Sequence, residues 1–369
     1  MNVPLAPAQR RLASGMAPGL FALATAVPAH CIDQMAVRER ARAHFGPRTG
    51  IFQHLEPVFA NARIETRYTS QPLDWYLQPH GFEEKTAIYV EHALALGRLA
   101  AERALVAADL SPAEIDAIVC VSSTGVMTPS LDARLMNVLP FGPRTIRLPI
   151  FGYGCAGGVL GLSRAVDLAR SRAGTRVLLV VVELCSTAIR HDRWAPSNIV
   201  ATALFGDGAA AAVICNPVDG DQSTAPIATL GLAGEHTWRD TLEIMGWRVD
   251  GVGFDVIFHS SIPTLIAERY PEALASFLTA NNLSLADVDR VCAHPGGVKV
   301  IEALEDVFGY QRGALNAERE ILRDYGNMSA PSVLFVLERA LKRGLRGSAV
   351  LSALGPGFTA SFLALEASA

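Results

Sequence analysis

The chain alternates short apolar runs with longer segments of helical periodicity, which is typical of an α/β protein. Buried strands are predicted over residues 115–121, 145–151 and 176–182. The last of these is almost entirely apolar, as in strands whose two faces are both covered. Residues 156–170 are predicted to be a helix, with leucine and alanine side chains available for one buried face.

The second half of the chain repeats this order, with a strand at 288–293, a helix at 330–345 and a strand at 348–354. Cys155 and Asn327 lie 172 positions apart, and the same offset relates positions 121 and 293, and 176 and 348. Each of the two residues is predicted to begin a helix. We therefore predict an internal duplication of one α/β unit, with halves at residues 1–225 and 226–369.

The first half carries an insertion. Gly206-Asp207-Gly208 and Gly355-Pro356-Gly357 precede the last strand of each half but lie only 149 positions apart, so the first half has 23 extra residues. These residues lie between Glu183 and Phe205. A segment beside the helix that follows Cys155 is a candidate for shaping a substrate site or contacting another subunit.

Cys155 is the candidate nucleophile. A helix N-terminus stabilises anions and lowers the pKa of a thiol. Gly154, Gly157 and Gly158 are predicted to leave room for a substrate to approach the sulfur. The alternative, a buried structural cysteine, fits Cys120, Cys215 and Cys292, which lie inside apolar strands.

The internal repeat makes His294 and Asn327 candidate catalytic residues. His294 follows a strand, in a position equivalent to Ser122, and alone it is as often a structural histidine as a catalyst. Asn327 alone is more simply a helix cap. The repeat symmetry and the pairing with Cys155 favour a catalytic role for both residues.

A dinucleotide-binding fingerprint at Gly152-x-Gly154-x-x-Gly157 is the weaker alternative to a catalytic Cys155, since the motif lies mid-chain and contains the cysteine.

The composition limits the class of protein. The 369 residues are 50% hydrophobic and 18% charged, with a net charge of −4 and a pI of about 6.2, which does not favour a nucleic-acid-binding surface. Six scattered cysteines without a CxxC pair disfavour zinc and disulfides and indicate a reducing cytoplasm. Arg10 and Arg11 before the apolar residues 19–29 imitate a signal peptide, but the flanking prolines favour a first strand. The longest purely apolar run, 177–182, is too short to span a membrane.

Several motifs, in this order along the chain, resemble the type III polyketide synthases, the chalcone synthase family of the thiolase superfamily. They are Gly154-Cys155-Ala156-Gly157-Gly158, Leu204-Phe205-Gly206-Asp207-Gly208-Ala209-Ala210, Ala293-His294-Pro295-Gly296-Gly297, Tyr325-Gly326-Asn327-Met328-Ser329 and Gly355-Pro356-Gly357-Phe358. The resemblance implies a five-layered αβαβα thiolase fold, a homodimer, and a Cys155-His294-Asn327 triad with no metal or redox cofactor. It also implies that acyl-CoA and malonyl-CoA are the substrates.

The resemblance further implies a set of binding residues. Phe205 matches a gatekeeper between the coenzyme A tunnel and the cavity, and Val256 stands where a second gatekeeper phenylalanine is usual. Arg63 and Arg67 are candidates for coenzyme A phosphates, with solvated surface as the alternative. The remaining candidates for substrate binding are Ser123, Cys185, Ala188, Leu354, Gly355, Pro356 and Gly357.

The departures from the plant pattern predict an apolar cavity. The segments Met245-Gly246-Trp247 and 256–266 are similar to bacterial synthases of alkylpyrones and alkylresorcinols, so a fatty acyl starter is predicted. Alternatives are a ketoacyl-carrier-protein synthase III-like enzyme, a degradative thiolase or other acyltransferase, and a non-enzymatic acyl-binding subunit. The proline and glycines after His294 disfavour the first, and the complete triad disfavours the last.

Overall fold

The computed structural model describes residues 17–218 and 225–368. Its strands are β1 (Gly19–Ala26), β2 (His30–Asp33), β3 (Thr66–Thr69), β4 (Ala117–Val121), β5 (Ile146–Ile150), β6 (Arg176–Leu184), β7 (Asp207–Cys215), β8 (Ala228–Thr237), β9 (Met245–Asp250), β10 (Gly253–Phe258), β11 (Arg290–Ala293), β12 (Gly347–Gly355) and β13 (Thr359–Ala367). Its helices are α1 (Gln34–Phe45), α2 (Ile51–Leu55), α3 (Val58–Asn61), α4 (Phe82–Ala107), α5 (Leu131–Val138), α6 (Gly157–Arg170), α7 (Pro196–Leu204), α8 (Ile262–Ala280), α9 (Val298–Val307), α10 (Asn316–Tyr325) and α11 (Pro331–Lys342).

Nine of the strands form one sheet in the order β11-β12-β13-β8-β1-β7-β6-β4-β5. β4 pairs in parallel with β5 and β6, and β11 pairs in parallel with β12, whereas the strands between them are antiparallel. The two halves of the sheet join where β1 meets β8, through Gly19↔Thr229 and Leu20↔Ala228. Strand order is therefore mirrored about this junction, as an internal duplication requires.

Helices make the remaining layers. α6 and α11 pack against each other and lie between the half-sheets, since α6 contacts β4, β6, β12 and β13, and α11 contacts β1, β7, β11 and β12. α4 covers the outer face of the first half-sheet and α8 that of the second. This αβαβα arrangement is the thiolase fold, as predicted.

A close approach of the two central helices depends on glycine. A Cβ added at Gly158 would lie 2.3 Å from the carbonyl oxygen of Ala330, and one at Gly157 would lie 2.8 Å from Val121. These glycines therefore let α6 pack against α11 and β4. The prediction that they leave room for a substrate at the sulfur is wrong for this pair.

The elements predicted from the apolar pattern agree with those observed to within a few residues. The apolar stretch at 19–29 contains strand β1, while Arg10 and Arg11 lie outside the described residues. The predicted boundary between the halves, at 225/226, falls in the connection from β7 to β8. Within the described residues, no helix is both long and apolar enough to cross a membrane.

The predicted insertion forms a 3-10 turn, Cys185–Ala188, and helix α7. α7 packs against α1, α2 and α3 and ends immediately before Phe205. Its N-terminal proline occupies the first helical position, where a missing N–H group is tolerated. The insertion therefore places Phe205 in the wall of a cavity that Cys155 also lines.

Candidate active site

Cys155 lies in a 3-10 turn, Gly154–Ala156, that leads into α6. Gly154 has φ of +46°, and a Cβ there would lie 2.7 Å from Pro356. Only glycine fits this conformation and this contact. The loop also packs against Gly355, whose added Cβ would lie 2.4 Å from the carbonyl oxygen of Tyr153. The glycine at 154 is therefore explained by packing against the Gly355-Pro356 loop, which disfavours the fingerprint alternative.

His294 follows β11, and its backbone N–H donates to the carbonyl oxygen of Ser352 at 2.8 Å. The residue is 5% exposed, and neither ring nitrogen has a hydrogen-bond partner. Buried polar side-chain atoms are normally paired. The unpartnered imidazole is therefore a good candidate for binding a ligand.

Asn327 lies between α10 and α11, three residues before Ala330, the residue that caps α11. The prediction that it begins a helix is therefore wrong, and so is the simple capping role. Its side chain oxygen accepts from the N–H of Ser329 at 2.8 Å, and its amide nitrogen donates to the carbonyl oxygen of Gly296 at 3.2 Å. These two bonds fix the amide with its NH₂ group toward the loop that follows His294.

Cys155, His294 and Asn327 line one cavity, which we call the inner cavity. Its other walls are largely apolar and come from β9, β10, α8, α9 and β12: Met245, Phe258, Ile262, Ile266, Tyr270, Gly296, Val300, Leu304, Ser352, Ala353 and Leu354. Tyr270 and Ser352 hydrogen-bond to each other at 2.5 Å, so both hydroxyl groups are satisfied within an apolar wall. The fold therefore brings together three polar side chains from both halves of the chain.

Burial governs the charge states of Cys155 and His294. It raises the pKa of the Cys155 thiol to about 11, although a hydrogen bond with the Ser329 side chain opposes it. Burial also lowers the pKa of His294 to about 3. The prediction of a lowered thiol pKa is therefore wrong, because desolvation outweighs the helix terminus. Both groups are neutral at pH 7.

A second cavity adjoins the first and is called the hairpin cavity, because half of its lining residues come from the β9–β10 hairpin. Phe205 and Val256 both line it, together with Gly154, Cys155, Cys185, Met245, Gly246, Trp247, Ile257, Phe258, Ser329 and Pro356. Val256 is 7% exposed and pairs with Trp247 across the hairpin. The Trp247 ring contacts Phe205 edge-on at 5.9 Å. Trp247 thus supplies aromatic surface next to the valine that replaces the expected phenylalanine.

Several other predicted binding residues have different surroundings. Ser123 is buried, and its hydroxyl accepts from the N–H groups of Gly152 and Gly154 at 3.1 Å each. It therefore holds the loop that carries Cys155. Ala188 is buried at the end of its 3-10 turn. Gly357 has φ of +69°, as the turn into β13 requires.

The two predicted coenzyme A residues differ sharply. Arg63 is exposed, so its predicted role stays open. Arg67 is 2% exposed, and its terminal nitrogens donate to Gln34 and to three backbone carbonyl groups. A guanidinium in this position does not reach a phosphate in solvent, so the prediction for Arg67 is wrong. The alternative of solvated surface is wrong as well.

Sequence reasoning missed three groups near Cys155. Ser329 hydrogen-bonds to the thiol, and it lies within the asparagine motif. Glu183 is fully buried and accepts from the N–H of Ser123 and the hydroxyl of Thr124, and burial raises its pKa to about 8. Tyr270 lies on α8, and no motif marked it. Among the described residues, no cluster of three or more metal-ligating side chains is present.

Comparison with known proteins identifies the class. The family model of chalcone and stilbene synthases matches this chain with its N-terminal domain at residues 6–217 and its C-terminal domain at 235–367. The chain therefore belongs to the chalcone and stilbene synthase family, the type III polyketide synthases. These enzymes are decarboxylative condensing acyltransferases that use coenzyme A thioesters, and malonyl-CoA is the unit condensed.

Bacterial proteins are among the relatives of this chain. It is 36% identical to a putative chalcone synthase of Bacillus subtilis over 358 residues, covering 93% of this chain and 97% of the relative. It is 37% identical to a 1,3,6,8-tetrahydroxynaphthalene synthase of Streptomyces peucetius subsp. caesius, covering 85% and 83%. The crystal structure of the Streptomyces coelicolor synthase of the same name superposes with a TM-score of 0.88 at 28% identity, covering 95% and 99%.

Proposed function

We propose that Cys155 carries the acyl group and that His294 and Asn327 stabilise the enolate of malonyl-CoA. The observation that carries this proposal is the convergence of the three side chains on the inner cavity, with both nitrogens of His294 unpartnered. Hydrogen-bond donors aimed at a developing oxyanion are usually the largest single contribution to catalysis of this kind.

Loading begins with transfer of the thiol proton of Cys155 to His294. Burial keeps both groups neutral at rest, so this transfer costs free energy, and Coulomb attraction between the thiolate and the imidazolium offsets part of that cost. The thiolate attacks the carbonyl carbon of the starter thioester, and coenzyme A leaves as its thiol after taking the proton from His294. His294 is then neutral again, with one N–H group available as a donor.

Condensation follows on the same residues. The thioester oxygen of malonyl-CoA accepts from an N–H of His294 and from the amide of Asn327 while the malonyl carboxylate leaves as carbon dioxide. The enolate carbon attacks the acyl carbonyl on Cys155, the carbon–sulfur bond breaks, and the Cys155 thiolate is released. The product is an acyl-CoA longer by two carbons, which reloads Cys155 for the next extension.

The test is release of carbon dioxide from malonyl-CoA. Asn327→Ala is expected to slow it by about a hundredfold, because removal of one oxyanion donor typically has that effect. Asn327→Asp keeps the shape and the bond with the Ser329 N–H but replaces the donor by a carboxylate that repels the enolate, so it should be slowed at least as much. A degradative thiolase or a non-enzymatic subunit would release no carbon dioxide. Full activity in both variants would assign Asn327 a purely structural role.

We infer that the starter is a medium or long fatty acyl-CoA and that the products are alkylpyrones or alkylresorcinols. Support comes from the apolar walls of both cavities and from Val256, Cys185 and Leu354, which offer no charged partner. Each methylene buried in such a cavity contributes roughly 0.8 kcal/mol, or about fourfold in affinity. Specificity should therefore rise with chain length until the cavity is full and then fall.

A second candidate comes from the names of the relatives. A tetrahydroxynaphthalene has oxygens at alternating positions of a ten-carbon skeleton, the pattern that successive two-carbon malonyl units produce. Malonyl units alone could supply all ten carbons of such a skeleton. Incubation with malonyl-CoA alone, followed by mass spectrometry, separates the two candidates: a naphthalene product would replace the fatty acyl proposal.

We propose that the chain is a homodimer that pairs through the first half-sheet. β5 is the edge strand there, and large apolar residues near it are exposed, including Ile146 at 57% and Phe151 at 57%. An exposed apolar edge is a site of association. Light scattering should give twice the chain mass. Ile146→Lys should yield the monomer, whereas Leu242→Lys, at a residue 78% exposed elsewhere, should leave the dimer intact.

We further propose that no resident metal or redox cofactor takes part and that the enzyme works in the cytoplasm. The support is chemical, because a neutral imidazole and an amide supply the donors that the enolate needs. Condensation should persist after prolonged dialysis against a chelator. Loss of activity that added divalent metal restores would overturn this proposal.

A further inference from the structure

Arg67, on β3, is a fully buried cation that none of the proposed catalytic steps uses. One terminal nitrogen donates to the carbonyl oxygens of Thr202 at 2.9 Å and Phe205 at 2.8 Å. The other donates to the carbonyl oxygen of Ala203 at 2.6 Å and to the side chain of Gln34. The guanidinium therefore links two carbonyl groups in the last turn of α7 to the carbonyl group of Phe205.

The same short segment is hydrogen-bonded to Asn327. The N–H of Asn327 donates to the carbonyl oxygen of Leu204 at 2.8 Å, and the N–H of Gly206 donates to the carbonyl oxygen of Asn327 at 3.0 Å. Phe205 and Asn327 form an isolated parallel bridge in this way. The backbone of Asn327 is thus one hydrogen bond away from the peptide groups that Arg67 holds.

β3 also contacts the chain on the other side of Asn327. The N–H of Glu65 donates to the carbonyl oxygen of Arg323 at 2.8 Å. The hydroxyl of Thr66 donates to the backbone carbonyl oxygen of Asp324 at 2.7 Å. Both acceptors lie in the last turn of α10. The strand that carries Arg67 therefore fixes both segments that meet at Asn327.

These segments have no space between them. A Cβ at Gly206 would lie 2.4 Å from the carbonyl oxygen of Tyr325 and 3.4 Å from the Cβ of Arg67. A Cβ at Gly326, where φ is +69°, would lie 2.8 Å from the carbonyl oxygen of Leu204. A displacement of the Arg67 side chain would therefore shift the backbone of Asn327, because close-packed interiors transmit strain.

A lysine in place of Arg67 could not make the same set of hydrogen bonds. A guanidinium presents several donors in a fixed plane, whereas an ammonium group is a compact charge without that geometry. The buried carboxylate of Asp207 attracts the Arg67 charge, and it is itself bound by the N–H groups of Ser70 and Ser186. The site is therefore built for a planar cation.

We propose that Arg67 is a positioning residue that sets the location of Asn327 and thereby supports decarboxylation of malonyl-CoA, but not loading of the acyl group. Neither Cys155 nor His294 hydrogen-bonds to Arg67 through its side chain. Cys155 belongs to the turn before α6, and His294 follows β11. This inference rests on the proposed role of Asn327 as an enolate donor.

The experiment measures the two half-reactions separately in Arg67→Lys. Acylation of Cys155 by an acyl-CoA is followed by intact-protein mass spectrometry, and carbon dioxide release from malonyl-CoA is followed without a starter. We expect decarboxylation to fall by about tenfold to a hundredfold, as for a misplaced catalytic group. The fall should appear in kcat more than in KM. The acylation rate should stay within about twofold, since the loading step does not use the Asn327 donor.

Arg190→Lys is the matched control. Arg190 is 1% exposed, but its side chain pairs with Asp192 and Asp250 and does not bond to the segment beside Asn327. It should reproduce any general effect of disturbing a buried arginine and leave the ratio of the two half-reactions unchanged. Thr66→Val, which removes the bond to Asp324, should lower decarboxylation selectively in the same direction. That variant keeps the proposal testable if Arg67→Lys does not fold.

The outcomes are distinct. Equal losses in both half-reactions, or no loss in either, would overturn the positioning role of Arg67. Absence of carbon dioxide release from the wild-type enzyme would instead overturn the proposed function itself. A selective loss in Arg67→Lys and Thr66→Val, with none in Arg190→Lys, would support the positioning role.

Discussion

Replacement of His294 by glutamine is expected to make the free energy of unfolding depend less on pH below about pH 6.5. The pKa of His294 is lowered from 6.5 to about 3 in the fold, where the side chain is 5% exposed. Below pH 6.5 the unfolded chain binds a proton that the folded protein does not, so the free energy of unfolding falls as the pH falls. The loss is about 1.4 kcal/mol per pH unit until the pH approaches the pKa in the fold.

At about pH 5 this single group should therefore remove about 2 kcal/mol of the stability present at about pH 7.5. Urea unfolding, monitored by tryptophan fluorescence at one protein concentration, gives the free energy of unfolding at both pH values. His294→Gln, which has no titrating group, should lose about 2 kcal/mol less than the wild type over this interval.

The comparison between the two proteins isolates His294. Burial also lowers the pKa of His44 and of His191, but both are present in wild type and variant, so their contributions cancel in the difference. Parallel stability profiles for the two proteins would refute the reasoning. They would mean that the imidazole is solvated or protonated in the folded state.

Three further changes have definite expected results. Gly158→Ala should lower the free energy of unfolding by about 3 kcal/mol or more, and with it the urea midpoint, because its Cβ would lie 2.3 Å from the carbonyl oxygen of Ala330, the residue that caps α11. Gly50→Ala, with no atom within 4 Å, should change the midpoint little. Iodoacetamide should label Cys155 faster as the pH rises, because the thiolate is the reactive form and burial raises the pKa of this thiol to about 11. In a Cys31→Ser background, which removes the exposed thiol of Cys31, alkylation of Cys155 should abolish condensation. Activity that survives complete alkylation of Cys155 would exclude Cys155 as the nucleophile. Val256→Phe should shorten the longest starter accepted in an acyl-CoA series, whereas an unchanged profile would place the alkyl chain away from the hairpin cavity.

The sequence predicted the fold well because its signals are local or repeated. Apolar runs mark β4, β6 and β12, and the constant offset of 172 positions reveals the duplication. The same symmetry pointed to Cys155, His294 and Asn327, which line one cavity. A duplicated unit places equivalent residues symmetrically, so these three were accessible without coordinates.

The errors concern surroundings rather than positions in the chain. Burial decides the pKa of Cys155, and burial depends on contacts with Pro356 and Ser329, which are far away in sequence. Arg67 looked like a surface cation because arginine is usually exposed. Its acceptors are carbonyl groups near residue 203, and a one-dimensional pattern does not indicate which backbone groups a side chain will meet.

The position of β13 has a consequence for biosynthesis. This strand, Thr359–Ala367, comes last among the described strands, yet it lies in the interior of the sheet between β12 and β8. Until it leaves the ribosome, the second half-sheet has a gap and α6 lacks part of its apolar cover. A nonsense codon that removes Thr359–Ala367 would therefore leave a gap in the interior of the sheet, between β12 and β8.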